Sequence, residues 1–322
     1  MILSRRAPLR ALNLPLCLLL SALSLPAHAG WFDWLFKDTY TETRYPIVLS
    51  HGLFGFDDIA GYNYWYRIPE ELRRSGAEVY VTQVAAANST EVRGEQLARQ
   101  VETILAATGA EKVNLLGHSH GGPTVRYVAS VYPDYVASAT AVAGPHTGAR
   151  MADVLLGVQE ALPVAANLLG SIVNAATGFL DLISGGGYEQ DSLAALYSLS
   201  TQGSTEFNNH YPEGLPEDAC GHAPEQGDNG VRYYSWSGAK PLTNVLDISD
   251  AGIGLISLLY LGEKNDGLVS SCSSHLGLVI RDDYRMNHLD EVNQIAGLVS
   301  PFETNPTAVF RQHANRLKNR GL

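Results

Sequence analysis

The sequence is short of cysteine, of basic residues and of long apolar segments, and each shortage excludes something. Its 322 residues hold three cysteines, which allow one disulfide at most. Lys and Arg number 22 against 33 Asp and Glu, a net charge of −11, which argues against nucleic acid as a partner and against docking on anionic lipid by charge alone. No internal repeat, low-complexity tract or linker-like stretch marks a second domain. The apolar run Leu14–Leu25 is too short to span a bilayer.

That apolar run instead predicts a secretory signal peptide over residues 1–29. Arginines precede the run, and Ala27-His28-Ala29 is an A-x-A cleavage signal, so the mature chain is expected to begin at Gly30. A lipoprotein signal at Cys17 fits less well, because Leu16 is bulky where a small residue is expected. The leucine-rich run also fits general secretion better than twin-arginine export. We therefore expect a secreted protein.

About 290 residues remain after the signal, enough for one large α/β domain over residues 30–322. From Tyr45 to Ala143, apolar strand-like runs alternate with helix-like segments. This alternation predicts a mostly parallel sheet with helices on both faces. The predicted strands are 45–49, 78–84, 113–116 and 138–143, and the predicted helices are 69–75, 90–108 and 123–131.

Two cysteines remain once Cys17 has left with the signal. Cys220 and Cys272 form an even pair in an exported chain, which favours a disulfide over two free thiols. Closing a loop of about 50 residues would stabilise the fold by about 4 kcal/mol in the chain-entropy model.

The segment Gly117-His118-Ser119-His120-Gly121 matches the pattern G-x-S-x-G. A predicted strand stands directly before it and a predicted helix directly after it, which is the context that a nucleophile elbow requires. The Ser119 hydroxyl then projects at the carboxyl edge of the sheet, where ligands bind in open α/β sheets. Ser119 is the predicted nucleophile, and the alternative is a structural turn.

A serine hydroxyl needs a base to take its proton and an acid to orient that base. In this architecture the chain order is serine, acid, histidine. Spacing favours His288 as the base, with His275 as its rival, whereas His313 lies in a basic terminal helix and is expected at the surface. Asp266 precedes a glycine and an apolar run, as a carboxylate on a loop after a strand should. The competing acids are Asp247, Asp250 and Glu263.

Four longer stretches resemble the secreted true lipases of Pseudomonas-type bacteria, which need a dedicated periplasmic foldase. They read YPIVLSHGLFGFD, VNLLGHSHGGPTVRYVA, NDGLVSSCSSHLG and RDDYRMNHLDEVNQIAGL, and the resemblance covers nearly all of the mature chain. It implies the α/β-hydrolase fold, hydrolysis of triacylglycerols at lipid–water interfaces, and a lipase-specific foldase during maturation. It also implies Ser119 as nucleophile, Asp266 as acid, His288 as base and a Cys220–Cys272 disulfide.

Acyl transfer also requires two backbone N–H groups aimed at the developing oxyanion. One is expected from His120, directly after the nucleophile, and the other from Leu53 in the loop after the first strand. The family that the chain resembles usually has methionine at the second position. Because the donor is a backbone group, this departure changes the shape of the acyl pocket rather than the donor.

The resemblance further implies a structural calcium ion, a cation that prefers oxygen ligands. Its ligands would be the carboxylates of Asp247 and Asp290 and the carbonyl oxygens of Gln294 and Leu298. Such an ion would fix the loop that carries His288, two residues before Asp290, without taking part in the chemistry. The stretch between Asp247 and Asp266 is about one residue shorter than in the family, so Asp250 stays open as a ligand in place of Asp247.

From Arg150 to Ser184 the chain is nearly uncharged, and apolar residues recur at helical spacing. Three glycines follow at 185–187. This pattern favours a helical lid over residues 150–187 that covers the serine in water and turns towards lipid at an interface. The alternative is a pair of core helices. The sequence does not indicate a role for the aromatic segment Trp31–Phe36.

Three functions fit these residues. The first is a secreted, calcium-stabilised triacylglycerol lipase that works through a Ser-His-Asp triad and an acyl-enzyme. The second is a carboxylesterase that hydrolyses soluble short-chain esters with the same residues and shows no activation by an interface. The third is a hydrolase-fold binding protein without catalysis, against which the intact set of nucleophile, base, acid and donors argues.

Overall fold

The computed structural model describes residues 38–55, 58–59, 62–157, 188–218 and 220–322. The predicted signal peptide, the segment Trp31–Phe36 and residues 158–187 of the predicted lid lie outside the described residues. The compact unit that contains the sheet spans Asp38–Leu322. Within the described ranges, no helix is both long and apolar enough to cross a membrane.

Eight strands occur in the described part of the chain. Six of them form one parallel sheet, and β2 and β3 form a separate antiparallel pair. The bounds are β1 Ile47–Ser50, β2 Asp58–Ile59, β3 Tyr62–Asn63, β4 Val79–Thr82, β5 Val113–His118, β6 Val136–Val142, β7 Arg232–Gly238 and β8 Leu278–Tyr284. The order across the sheet is β4-β1-β5-β6-β7-β8.

The helices of the described residues connect these strands. Their bounds are α1 Ile68–Arg74, α2 Thr90–Thr108, α3 Gly121–Val131, α4 Arg150–Leu155, α5 Ser192–Leu199, α6 Thr201–His210, α7 Asp250–Ile256 and α8 Pro306–Asn319. Short 3₁₀ turns stand at Pro133–Tyr135, Ser257–Tyr260, Cys272–Ser274 and Asp290–Val292. Helix α2 matches its prediction because both ends carry strong signals: the Ser89 side chain accepts a hydrogen bond from Val92 N, and Gly109 ends the helix at φ 71°.

Both faces of the sheet are covered, as a parallel sheet requires. Ile47 and Leu49 point to one face, where α1 and α8 add Ile68 and Phe310. Val48, between them, points to the opposite face, where helices α2 and α3 pack. The predicted α/β class, with a mostly parallel sheet and helices on both faces, is thus confirmed.

The loops that leave the carboxyl ends of β1 and β5 emerge side by side. Ser50 of β1 pairs with Gly117 of β5, and His118 of β5 pairs with Val142 of β6. Because the strands are parallel, the chain leaves all three at one edge of the sheet, with Leu53 and Ser119 in the loops that follow.

One expectation is wrong. His313 lies in the terminal helix, as predicted, but its side chain is 1% exposed, and its Nε2 lies 2.9 Å from the Thr140 hydroxyl of β6. Phe310, His313, Ala314 and Leu317 form the buried stripe of α8, and the basic neighbour Arg316 contacts the buried ring, with Nη1 3.1 Å from His313 Nδ1. The predicted disulfide between Cys220 and Cys272 is present.

Candidate active site

Ser119 stands on a sharp turn between β5 and α3. Its φ of 55° is a left-handed conformation that non-glycine residues rarely adopt. Two hydrogen bonds hold the turn, from Ser119 N to Val142 O at 2.9 Å and from Gly122 N to Ser119 O at 2.8 Å. A Cβ atom at Gly117 would overlap the carbonyl group of Gly121, and one at Gly121 would overlap the carbonyl oxygen of Ser50. The pattern G-x-S-x-G is therefore a steric requirement of this turn.

His288 and Asp266 meet at the same edge of the sheet. Asp266 Oδ2 lies 2.7 Å from His288 Nδ1, and His288 N donates a second hydrogen bond to the Asp266 carbonyl oxygen at 3.0 Å. The other carboxylate oxygen accepts from Leu268 N at 2.8 Å and Val269 N at 2.7 Å. Both side chains are buried. The backbone N–H groups of Leu268 and Val269 thus hold the Asp266 carboxylate, which in turn orients the imidazole ring of His288.

The rival residues are engaged elsewhere. His275 hydrogen-bonds through its ring nitrogens to Gly221 O and Asp282. Glu263 forms an ion pair of 3.1 Å with Arg150. The Asp250 carboxylate accepts hydrogen bonds from Thr243, Asn244 and Asn287. Of the candidates weighed from the sequence, Asp266 is the acid that contacts His288.

Ser119 and His288 line one cavity of about 460 Å³ at the carboxyl edge of the sheet. Concave, mostly apolar sites of this size typically bind small organic ligands. A more open groove of about 800 Å³, between α4, α5 and α6, has walls rich in polar groups and contains neither residue. Apolar side chains dominate the cavity wall: Leu53, Phe54, Pro145, Ala149, Met151, Leu199, Ile248, Ile253, Ile256, Leu268, Val269 and Leu289.

The two predicted oxyanion donors lie on either side of Ser119. His120 is the N-cap residue of α3, at the positive end of the helix dipole. Leu53 follows Gly52, where an added Cβ would lie 2.8 Å from Ser119 Cβ. Within the described part of the chain, neither Leu53 N–H nor His120 N–H donates a hydrogen bond. Leu53 also lines the cavity, whereas His120 is fully buried.

A buried arginine holds the loop that carries Leu53. Arg93 Nη2 donates to His51 O at 2.6 Å and Gly52 O at 3.3 Å, and Nη1 donates to Ala85 O and to Ala86 O. Burial lowers the pKa of Arg93 to about 9, so the guanidinium stays charged at pH 7. Arg93 was not among the residues predicted from the sequence. The sequence does carry a sign of its burial: Arg93 lies on the same apolar stripe of α2 as Leu97 and Val101, which are both buried.

A second polar group lies behind His288. The Tyr64 hydroxyl accepts from Gly52 N at 3.2 Å and lies 2.5 Å from His118 Nδ1, and the His118 and His288 rings are 4.5 Å apart. His118 Nε2 lies 3.5 Å from Glu291 Oε2. Burial lowers the pKa of His118 and raises that of Glu291, so burial disfavours the charged form of both side chains that pack beside the candidate base.

The predicted calcium ligands form a cluster with unsatisfied oxygens. Asp247 Oδ2 and Asp290 Oδ1 are buried and have no hydrogen-bond partner among the described residues. Burial raises the pKa of Asp290 to about 7, and the carboxylates of Asp247 and Asp250 add to this. Of the two alternative ligands, Asp250 already accepts several hydrogen bonds, whereas Asp247 keeps an oxygen without a hydrogen-bond partner among the described residues. Buried carboxylates in this state fit a hard cation.

The two carbonyl ligands expected from the sequence lie in the loop that follows Asp290. The Gln294 carbonyl oxygen accepts a hydrogen bond from Ala296 N at 2.8 Å, which leaves one lone pair. Leu298 lies four residues further on, after a turn closed by Leu298 N and Ile295 O at 2.8 Å. The donor set is therefore entirely oxygen, as calcium prefers.

Comparison with known proteins identifies the fold and the family of the chain. The family profile described as the alpha/beta hydrolase fold matches residues 45–168. A triacylglycerol lipase of Vibrio cholerae is 56% identical over 310 residues, covering 95% of this chain and 99% of the relative. A triacylglycerol lipase of Pseudomonas fragi is 42% identical over 300 residues, covering 88% of this chain and 100% of the relative.

Among solved structures, a lipase of Staphylococcus hyicus has a TM-score of 0.57 at 19% identity, covering 87% of this chain and 97% of its own. At that identity the likeness concerns the fold alone. Fold and site together define an α/β hydrolase. The chain belongs to the bacterial lipases of that superfamily, which are ester-hydrolysing enzymes.

Proposed function

We propose that this protein is a secreted triacylglycerol lipase that hydrolyses ester bonds at lipid–water interfaces with Ser119, His288 and Asp266. One observation carries the proposal: Ser119 and His288 line the same apolar cavity, and Asp266 Oδ2 lies 2.7 Å from His288 Nδ1. The 56% identity to a lipase that acts on triacylglycerols supports the substrate class.

Acylation begins with proton transfer from the Ser119 hydroxyl to His288. Because His288 Nδ1 donates to Asp266, Nε2 is the nitrogen that accepts this proton. Ser119 Oγ attacks the ester carbonyl carbon, and the carbonyl oxygen becomes an oxyanion bound by the N–H groups of Leu53 and His120. Arg93 donates hydrogen bonds to the carbonyl oxygens of His51 and Gly52, directly before Leu53. Its positive charge therefore favours the negative charge that develops on the oxyanion near Leu53.

The tetrahedral intermediate then collapses. His288 gives its proton to the departing glycerol oxygen, the bond from carbonyl carbon to that oxygen breaks, and the acyl group stays on Ser119. In the second half, His288 takes a proton from water, the resulting hydroxide attacks the acyl-enzyme, and Ser119 leaves with the proton. A fatty acid and a diacylglycerol are the products.

Calcium has a structural part in this proposal. Asp247 and Asp290 would hold it with their free carboxylate oxygens, together with the carbonyl oxygens of Gln294 and Leu298. When bound, it supplies positive charge that neutralises the buried carboxylates. The chain's own contribution is positional, since Asp290 lies two residues from His288 and Asn287 donates to Asp250 at 2.7 Å.

The place of action follows from the N-terminal residues and from the disulfide. Residues 1–29 read as a secretory signal, and a disulfide persists in an oxidising compartment. A dedicated periplasmic foldase is the proposed partner in maturation. Expression with and without such a foldase tests this point, and active soluble protein formed without it would contradict the requirement.

The deciding experiment follows the hydrolysis rate of a triacylglycerol through its solubility limit for the unmodified protein and for Ser119→Ala. A rise in rate at the limit, absent from the variant, supports an interfacial serine lipase. Smooth saturation below the limit supports the carboxylesterase alternative. Hydrolysis by Ser119→Ala at the full rate would reject the mechanism.

A further inference from the structure

Apolar side chains are concentrated on the surface of one stretch, Pro241–Gly262. Half of the large apolar side chains that are exposed in the described part of the chain belong to it. Its exposed surface bears no formal charge, because its two acidic residues, Asp247 and Asp250, are 4% and 7% exposed. The exposed members are Leu242, Val245, Leu246, Ile248, Leu258 and Leu261.

The first four of these residues form a loop before α7, here called the apolar loop. Val245 is fully exposed and Ile248 is 91% exposed. Contiguous apolar surface of this kind is rare on soluble proteins and typically marks an interaction site.

Hydrogen bonds fix the backbone of the apolar loop and so determine the outward orientation of its side chains. Thr243 N and Asn244 N both donate to the Asp250 carboxylate, at 2.6 and 2.8 Å. Asn244 Nδ2 donates to Val299 O at 3.0 Å, and Leu246 N donates to Asn244 Oδ1 at 3.1 Å. These four hydrogen bonds hold the loop backbone in the conformation in which its apolar side chains are exposed. The loop presents them to whatever lies outside.

The apolar loop is continuous with the mouth of the catalytic cavity. Ile248 is almost fully exposed and also lines the cavity beside Ser119 and His288. The next residues of the same stretch, Ser249, Gly252, Ile253 and Ile256, line the cavity wall. An ester that enters the cavity therefore passes the apolar loop.

We propose that the apolar loop inserts into the surface of an uncharged lipid phase and holds the cavity mouth against it, independently of any lid. The proposal rests on the proposed lipase function. An uncharged lipid surface fits best because the loop offers apolar area without charge, and a net charge of −11 disfavours both anionic lipid and a second copy of the chain.

The test measures binding without hydrolysis, in a Ser119→Ala background, with vesicles of dioleoylphosphatidylcholine. Val245→Ser should lower the partition coefficient about five-fold, and Val245→Ser with Leu246→Ser about twenty-fold, because apolar area withdrawn from water drives insertion. Val131→Ser is the matched control. Val131 is 39% exposed at the end of α3, and α3 starts at the Ser119 edge and runs roughly 16 Å away from it. Its partition should be unchanged.

With Ser119 restored, the double variant should keep its rate on soluble p-nitrophenyl acetate and lose about ten-fold on emulsified triolein. Equal partition of Val245→Ser and the unmodified protein, or an equal loss for Val131→Ser, would overturn the proposal. So would a dimer of the unmodified protein that becomes monomeric in the double variant, since the occupant would then be a second copy. An unmodified protein that binds vesicles but does not hydrolyse triolein would defeat the lipase function and leave the insertion standing.

A polarity-sensitive fluorophore on Val245→Cys covers the case in which the double variant does not fold. The emission should shift to the blue when vesicles are added. A fluorophore already in an apolar environment in buffer would mean that the protein covers its own loop, and the proposal would be wrong.

Discussion

Ser119 and His288 reach one cavity from regions of the chain that are built in different ways. The nucleophile side is strand, turn and helix, and its geometry is dictated by close packing of β1, β5 and α3 around Gly117 and Gly121. The base side consists of loops around β8, held by a disulfide, by hydrogen bonds and by a candidate cation site. Steric packing fixes the nucleophile side. The base side is fixed by the disulfide, the hydrogen bonds and the candidate cation site, each of which can be removed separately.

The two sides are stabilised by different physical means, although left-handed non-glycine residues occur on both, at Ser119 and at Asn293 and Ala296. A residue at φ 55° persists only when its surroundings over-determine it, and Ser119 is held by paired strands and a helix start. The base side also carries buried carboxylates, and these need partners rather than packing.

The largest expected effect comes from breaking the steric side. Gly117→Ala should cost more than about 4 kcal/mol of unfolding free energy, because the new methyl group overlaps the backbone of Gly121. Gly252→Ala, with open space around its Cβ position in α7, should gain up to about 1 kcal/mol. Urea unfolding of both variants is the measurement, and equal midpoints would refute the steric account.

Removing the disulfide should act on the base side. Cys220→Ala with Cys272→Ala should cost about 2–5 kcal/mol. Hydrogen exchange should then quicken between Asp266 and His288 while β5 and α3 keep their protection, because the link joins the loop at 220 to the segment between acid and base. Uniform quickening of exchange across both sides would show that the two sides are not stabilised separately.

Removing calcium should be a somewhat smaller perturbation of the same side. Calcium at 100 times its Kd should raise the unfolding free energy by about 2.7 kcal/mol over the chelated protein, and activity should fall with stability on chelation. Asp247→Asn should abolish this response, whereas Asp250→Asn, at a carboxylate already satisfied by hydrogen bonds, should keep it. Thermal unfolding with and without chelator decides, and a response that survives only in Asp247→Asn would assign the ligand to Asp250.

Per side chain, the smallest effect is a gradual loss of stability in acid. Burial lowers the pKa of His51 to about 3 and those of His120, His146 and His313 well below the usual 6.5. Below pH 6.5 the unfolded chain takes up protons that the folded chain cannot, so stability present above that pH is lost as the pH falls. Each histidine contributes a slope of up to about 1.4 kcal/mol per pH unit.

Urea unfolding at pH 5 to 8 measures that slope. A flat profile between pH 6.5 and 5 would contradict neutral burial of these four side chains. Replacing His313 by Gln, which keeps a donor or acceptor for Thr140, should reduce the slope by the share of one histidine.

The sequence predicted the nucleophile side better than the base side, for a physical reason. Strand, elbow and helix follow one another within about 20 residues, so local pattern and local structure coincide. For the acid and base, spacing left Glu263, Asp250 and His275 open, because partners in separate loops are brought together by tertiary contacts that no local pattern records. The prediction for His313 was wrong for the same reason. The basic residues around it in sequence suggested an exposed helix, but the packing of α8 against β6 buries the His313 side chain.

The chain order of the site also determines when activity can arise during folding. Ser119, the proposed nucleophile, follows β5 in the middle of the sheet, while His288, its proposed base, follows β8, which is the last strand in sequence and lies at one edge. Parallel pairing of strands distant in sequence is slow. Until β8 has paired with β7, Ser119 therefore lacks its proposed base. Hydrolysis by the proposed triad thus depends on the pairing of one edge strand.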